Sequence, residues 1–388
     1  MGPVPLSKGN FRPSGFVAAK EDIRMDGLTM AKEWIGKVAV TSNWDIKDDG
    51  LKTVPLDFLL ERTHKEIHGC GACEVACRIS DALRDLSIEA EFDDERAKAK
   101  CCTRDFVSFR IRLFASGEGG TPVIVEVQKR SGQTMSFMQS CRAILSAAEG
   151  LKVAEQPQKK GPPSTFKLPI GEMQCLKGVP PVVITNEDVR SYLEKSIELM
   201  RSDKRDANLL GIENLCLLTD PLKTALSTAS RVSFYVVIGD DKCNIRDEIE
   251  VLSQRSAETS AFMQSPMEEG VDYFQQIHHH ILRLFSNALL LTAQSGLLHD
   301  AVQSQSWFRG HLVPTLLDEI KNAALCPNNS HVAAKCLHSL MCSDVACDEV
   351  LALDGLVTLR SARVFGHRRH EQLATESDRC VKALERRL

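Results

Sequence analysis

Five residues between His64 and Cys77 carry side chains that a transition metal could use: His64, His68, Cys70, Cys73 and Cys77. Cys70 and Cys73 form a Cys-x-x-Cys pair, a spacing that suits two thiolates on a tetrahedral zinc ion. A closed zinc site needs a second ligand pair, and no second Cys-x-x-Cys occurs in the chain. Cys73 and Cys77 also fall one helical turn apart, which places them on one helix face as ordinary thiols. The expectation is therefore no metal. His278, His279 and His280 form a second tract. Consecutive helical positions point about 100° apart, so three adjacent imidazoles cannot converge on one ion. A solvated helix face is expected there.

Anions are the other chemistry to consider. Arg110 and Arg112 alternate along a strand opposite one carrying Glu126, where cross-strand charge pairs would occupy them. Lys129 and Arg130 sit at a turn and are the candidate anion contacts. Gly117, Gly119 and Gly120 make a glycine-rich turn, but no Gly-Lys-Ser/Thr follows, so it is not a phosphate loop. The chain has no Gly-x-Ser-x-Gly elbow and no kinase signature set. Neither a catalytic residue nor a cofactor is expected.

The bulk composition points the same way. The chain has 388 residues, 43% apolar and 26% charged, with a net charge of -4. Nucleic acid is not an expected partner, because there is no overall basic excess. The 14 cysteines are irregularly spaced and no secretory leader opens the chain, which reads as reduced thiols in the cytoplasm. A start of Met1-Gly2 suggests myristoylation, but Leu6 stands where that motif needs Ser or Thr. No apolar run approaches the roughly 20 residues of a transmembrane segment.

Periodicity and punctuation divide the chain into four parts. Residues 1–55 read as a flexible arm and 151–185 as a Pro/Lys/Gly-rich linker that separates the halves. Residues 56–150 read as a small α+β domain of order α-β-β-β-α: a helix over Glu74–Ile88, strands at Ala97–Cys102, Phe106–Phe114 and Val123–Val127, and a helix over Thr134–Glu149. Residues 186–388 read as an all-α helical repeat, with helices at Glu187–Met200 and Asp206–Leu218 and a recurring long-helix, short-turn theme. Val232–Ile238 alone looks strand-like.

The run "VEVQKRSGQTMSFMQSCRAIL" resembles the kinase-associated-1 domain: a strand, a basic-Ser-Gly turn, then a terminal helix opened by Phe137. That resemblance implies autoinhibitory contacts or binding of anionic phospholipid heads. Residues 56–150 hold 13 Lys and Arg against 15 Asp and Glu, without the basic excess of a lipid-surface reader. The helical half resembles armadillo repeats through "IENLCLL", "FSNALLL" and "CLHSLMC", the last with Ser in the Asn place. Asn214 and Asn287 are 73 residues apart, and Ser339 follows 52 residues later, so the period is irregular. The resemblance implies that Asn214, Asn287 and Ser339 line a groove that holds an extended peptide. Together these readings describe a non-catalytic adaptor for protein partners; the alternatives are a membrane-recruited regulatory protein whose α+β module binds anionic phospholipid, and a metal-binding or enzymatic protein that uses the cluster from His64 to Cys77.

Overall fold

The computed structural model describes residues 44–47, 50–116, 122–151, 186–239, 245–262 and 273–387. The expected Gly117–Gly120 turn, most of the arm and nearly all of the linker lie outside them.

The α+β module is a five-stranded antiparallel sheet covered on one face by two helices. Its strands are β1 (His64–Ile67), β2 (Glu89–Asp93), β3 (Lys98–Cys102), β4 (Ser108–Ala115) and β5 (Val123–Ser131). They lie in the order β1-β5-β4-β3-β2. Helix α1 (Ala72–Asp85) follows β1, and α2 (Thr134–Ala148) follows β5. Phe109, Ile111 and Leu113 alternate toward the helices with Val123, Val125 and Val127. Val75, Ile79 and Leu83 of α1 and Phe137, Cys141 and Ile144 of α2 complete that core. The expected α-β-β-β-α order thus gains a strand at each edge. Both additions are short and charged, "HKEI" and "EAEFD", and lack the alternation that marks a half-buried strand. Gly132 closes β5 at a φ of +88°, and a Cβ there would meet the Phe106 carbonyl oxygen at 2.7 Å.

The rest is helical: α3 (Asn186–Arg201), α4 (Arg205–Leu218), α5 (Leu226–Val237), α6 (Ile245–Phe262), α7 (Tyr273–Gln294), α8 (Leu297–Ser304), a π-helical turn (Phe308–Leu312), α9 (Val313–Lys321), α10 (Pro327–Leu340), α11 (Asp344–Ala352), α12 (Gly355–Arg369) and α13 (Glu371–Glu385). Val232–Ile238 is not a strand, because Val232, Val236 and Val237 are buried in the helical core as part of α5. Tertiary burial overrides the local preference of β-branched residues. Helix α4 packs on α7, α7 on α10, and α10 on α13, with the intervening helices flanking this row. Helix α7 is enclosed on several sides, so His279 and His280 are buried where a solvated face was expected.

The two halves are not separate. Ser42–Leu388 form one compact unit, contrary to the expectation of a module tethered by a free linker. The sheet's β2 edge docks on the array. Arg369 lies 4.5 Å over the Phe92 ring and donates to the Ala90 carbonyl at 3.2 Å. The Gln372 N–H donates to Ser87 Oγ, and the Asn328 N–H to Glu89 Oε1. At the β3–β4 turn Phe106 meets His279 edge-on at 5.1 Å. The arm takes part too. Trp44 is 1% exposed and stacks on the other side of this contact, 5.5 Å from Phe92 with rings 3° from parallel.

Helices α12 and α13 approach closely at Gly366, where a Cβ would fall 2.5 Å from the Ala374 nitrogen. An unconstrained helical glycine gains about 1 kcal/mol on becoming alanine. Here a backbone would have to move, so Gly366→Ala should instead destabilise the chain by about 1–3 kcal/mol. Urea unfolding checks this: an unchanged or raised midpoint would show that the hairpin opens without strain.

Candidate binding site

The sequence-derived groove residues fall on neighbouring helices of the row: Asn214 on α4, Asn287 on α7 and Ser339 on α10. All three are half-buried. Asn287 Nδ2 donates to the Cys216 carbonyl at 3.3 Å, so this amide bridges α7 to α4. Ser339 Oγ donates to the Lys335 carbonyl one turn back at 3.2 Å. Both polar groups therefore have partners within the array.

A different surface offers an open apolar contact. Between α5, the end of α7 and the start of α8 lies a cleft of about 240 Å³. Ser230, Arg231, Phe234, Tyr235, Thr292, Ser295 and Leu297 line it, with Arg231 the one charged residue among them. Leu226 stands one turn before Ser230 on α5 and extends the same stripe. Leu226, Phe234 and Leu297 are 61%, 37% and 45% exposed, high values for large apolar side chains gathered along one cleft. Clustered exposure of this kind marks contact surfaces, whereas scattered exposed leucines do not. The sequence does not show it, because the run Val232–Ile238 has the composition of a strand and only its helical form in α5 sets Ser230 and Phe234 on one face.

The outer face of the sheet carries the second candidate. Register pairs Lys98 with Arg112 and Lys100 with Arg110, and Arg130 follows along β5. Like charges directly opposite each other are destabilising. Burial, then Arg110, Lys100 and Arg112, pull the Lys98 pKa down. Burial, then Arg130 and Arg112, act in the same direction on Arg110. The acids are sorted to the flanks: Glu91 reaches Lys100 at 3.1 Å from β2, and the fully buried Glu126 lies 3.7 Å from Arg112 on β5. The balanced count of charges along the chain thus hides a local basic stripe. Lys129 is set apart from it, since it pairs with Phe109 on the helix-covered face and its Nζ donates to Thr134 Oγ1 at 2.8 Å.

The sulfur and imidazole candidates disperse. Cys73 and Cys77 are exposed on α1, and His64 and His68 lie at and just beyond β1. Among the described residues no group of three or more His, Cys, Asp or Glu is placed to hold a metal ion. Burial, then Asp81 and Cys73, raise the Cys77 pKa, and burial lifts Cys216 and Cys336 to about 12. Such thiols are protonated at neutral pH and are poor nucleophiles. His278 pairs with Glu319 at 2.8 Å across α7 and α9. No single described helix is long and apolar enough to cross a membrane.

No family model, curated protein or solved structure matches the chain.

Asn287 acts here as a bridge between helices. Its replacement by alanine should cost about 1 kcal/mol of stability through the lost bond to Cys216. A thermal melt measures that, and a variant as stable as the parent would return Asn287 to the pool of free surface groups.

Proposed function

We propose that the chain is a non-catalytic adaptor that binds protein partners through its helical half, an armadillo-like array in which α4, α7, α10 and α13 are the successive inner helices. The observation that carries this reading is the apolar cleft between α5, α7 and α8. It has the size and lining to take an apolar anchor residue from a partner helix or extended segment, with Ser230 and Ser295 at its wall for polar contacts. The order of packing along the row supports the armadillo-like arrangement, and the irregular helix lengths fit a short, degenerate array. Peptide-display selection on the full chain tests the idea. Selected peptides should share a Leu, Phe or Trp anchor, and Phe234→Glu should weaken their binding by roughly tenfold or more. Peptides without an anchor, or binding indifferent to Phe234→Glu, would refute it.

A second reading rests on the basic stripe. Lys98, Lys100 and Arg130, with the buried Arg110 behind them, form a local basic surface that an anionic phospholipid headgroup would complement. Sedimentation with vesicles containing phosphatidylserine should then retain the full chain at low salt, and Lys100→Glu with Arg130→Glu should release it. Equal recovery with neutral vesicles counts against this reading.

A further inference from the structure

His370 is fully buried in the turn between α12 and α13. Its Nδ1 accepts a hydrogen bond from the Leu373 N–H at 3.1 Å and so caps α13. That bond fixes the tautomer: the ring hydrogen is on Nε2, which donates to Asn328 Oδ1 at 3.1 Å. The Asn328 N–H in turn donates to Glu89 Oε1 at 2.8 Å. One neutral imidazole thus joins the starts of α10 and α13, and the Asn328 backbone carries the link on to Glu89 at the edge of the sheet. The flanking residues Arg369 and Gln372 make the other two bonds across the same junction.

A proton on Nδ1 would convert this acceptor into a donor pointing at another donor. The cap would break, and a charge would be left beside the His331 ring, whose centroid is 5.9 Å away. The surroundings cannot accommodate that charge. Arg104 of the β3–β4 turn, Arg283 of α7 and Lys335 of α10 stand around the histidines, with His279 and His280 under Phe106. The acids near the junction are Asp105, beside His279, Glu213, 3.5 Å from His280, Glu319, paired with His278, Asp94, beside Arg369, and Glu89, which already accepts from Asn328.

We propose that the junction between the sheet module and the helical array is a proton-operated latch, closed while His370 and His331 are neutral and released when they are protonated. The latch is a property of this junction and does not depend on which partner the cleft or the basic stripe binds.

The direction follows from linkage. Burial, reinforced by Arg104, holds His370 at about 4, and burial, then His370, Lys335 and Arg104, hold His331 at about 3. Opening returns both toward 6.5, the ordinary value. The closed form therefore has its full advantage above that value and loses it as pH falls toward 4. Glu89 opposes this. Burial lifts it to about 7, so the closed form binds its proton more tightly and is favoured as pH falls. Between about pH 7.5 and about pH 5 each histidine favours opening by about 30-fold, and Glu89 opposes it by about 60-fold. The net effect is an opening constant about tenfold larger at the lower pH.

Hydrogen exchange of the full chain at these two pH values, corrected for intrinsic rates, reads that constant. Protection of residues 86–93 and 370–376 should fall about tenfold at the lower pH, while the interior of α7 keeps its protection. Glu89→Gln retains an acceptor for Asn328 and removes the opposing proton, so its loss of protection should grow to the order of several hundred-fold. His370→Asn retains a capping oxygen for Leu373 and removes a titrating ring, so its junction should stay as closed at the lower pH as at the higher. The proposal is overturned if wild type and Glu89→Gln are both insensitive to pH, if His370→Asn responds like wild type, or if α7 loses protection together with the junction.

Discussion

The contact on which the molecule's unity depends is the guanidinium of Arg369 over the ring of Phe92. Phe92 lies on β2, an edge strand that would otherwise expose unpaired backbone groups to any passing strand. Arg369 covers the ring and bonds the Ala90 carbonyl, while Trp44 stacks on the same ring from the arm. Three segments far apart in sequence meet at one aromatic side chain. Burial costs Arg369 some of its hydration and lowers its pKa, and the bonds to the ring face and to the carbonyl offset that cost. With the edge strand held in this way, the module cannot swing as an independent domain.

That docking explains the burial of polar groups around it. Glu89, Asn328, His370 and Gln372 would be ordinary surface residues on separate domains. Pressed together, each needs a partner: Glu89 and Gln372 find theirs across the junction, and His370 bonds Asn328 within the array. The histidines of α7 follow the same logic: the β3–β4 turn places Phe106 against His279 and His280, and enclosure by neighbouring helices does the rest. The polar cluster is a consequence of two apolar cores being brought edge to edge.

On the outer face of the sheet, charge is sorted by strand. Cations line β3 and β4 and continue at Arg130 of β5, acids take β2, and the buried Glu126 of β5 faces Arg112. Neither composition nor linear spacing reveals this, since register alone decides which side chains become neighbours. The apolar cleft of the array is similar: Phe234 and Leu297 are unremarkable in sequence and meet only because α5 lies against α7.

What the sequence determined by itself is therefore local. Alternation in β4 and β5 and helical spacing in α1 through α4 set those elements and their buried faces, because burial on one side imposes a period of two or of 3.6. The α+β half followed by an all-helical half could be read from those periods. The edge strands could not, being too short and charged to alternate, nor could α5, whose valines are helical only because neighbouring helices bury them. The placement of Asn214, Asn287 and Ser339 on adjoining helices was legible from the repeated motif, but the engagement of Asn287 with the Cys216 carbonyl was not. Docking of the two halves, the sorted charges and the buried histidines were decided by tertiary structure alone. They depend on contacts between residues up to 285 positions apart, such as Ser87 and Gln372, and no periodicity within one segment encodes such a pairing.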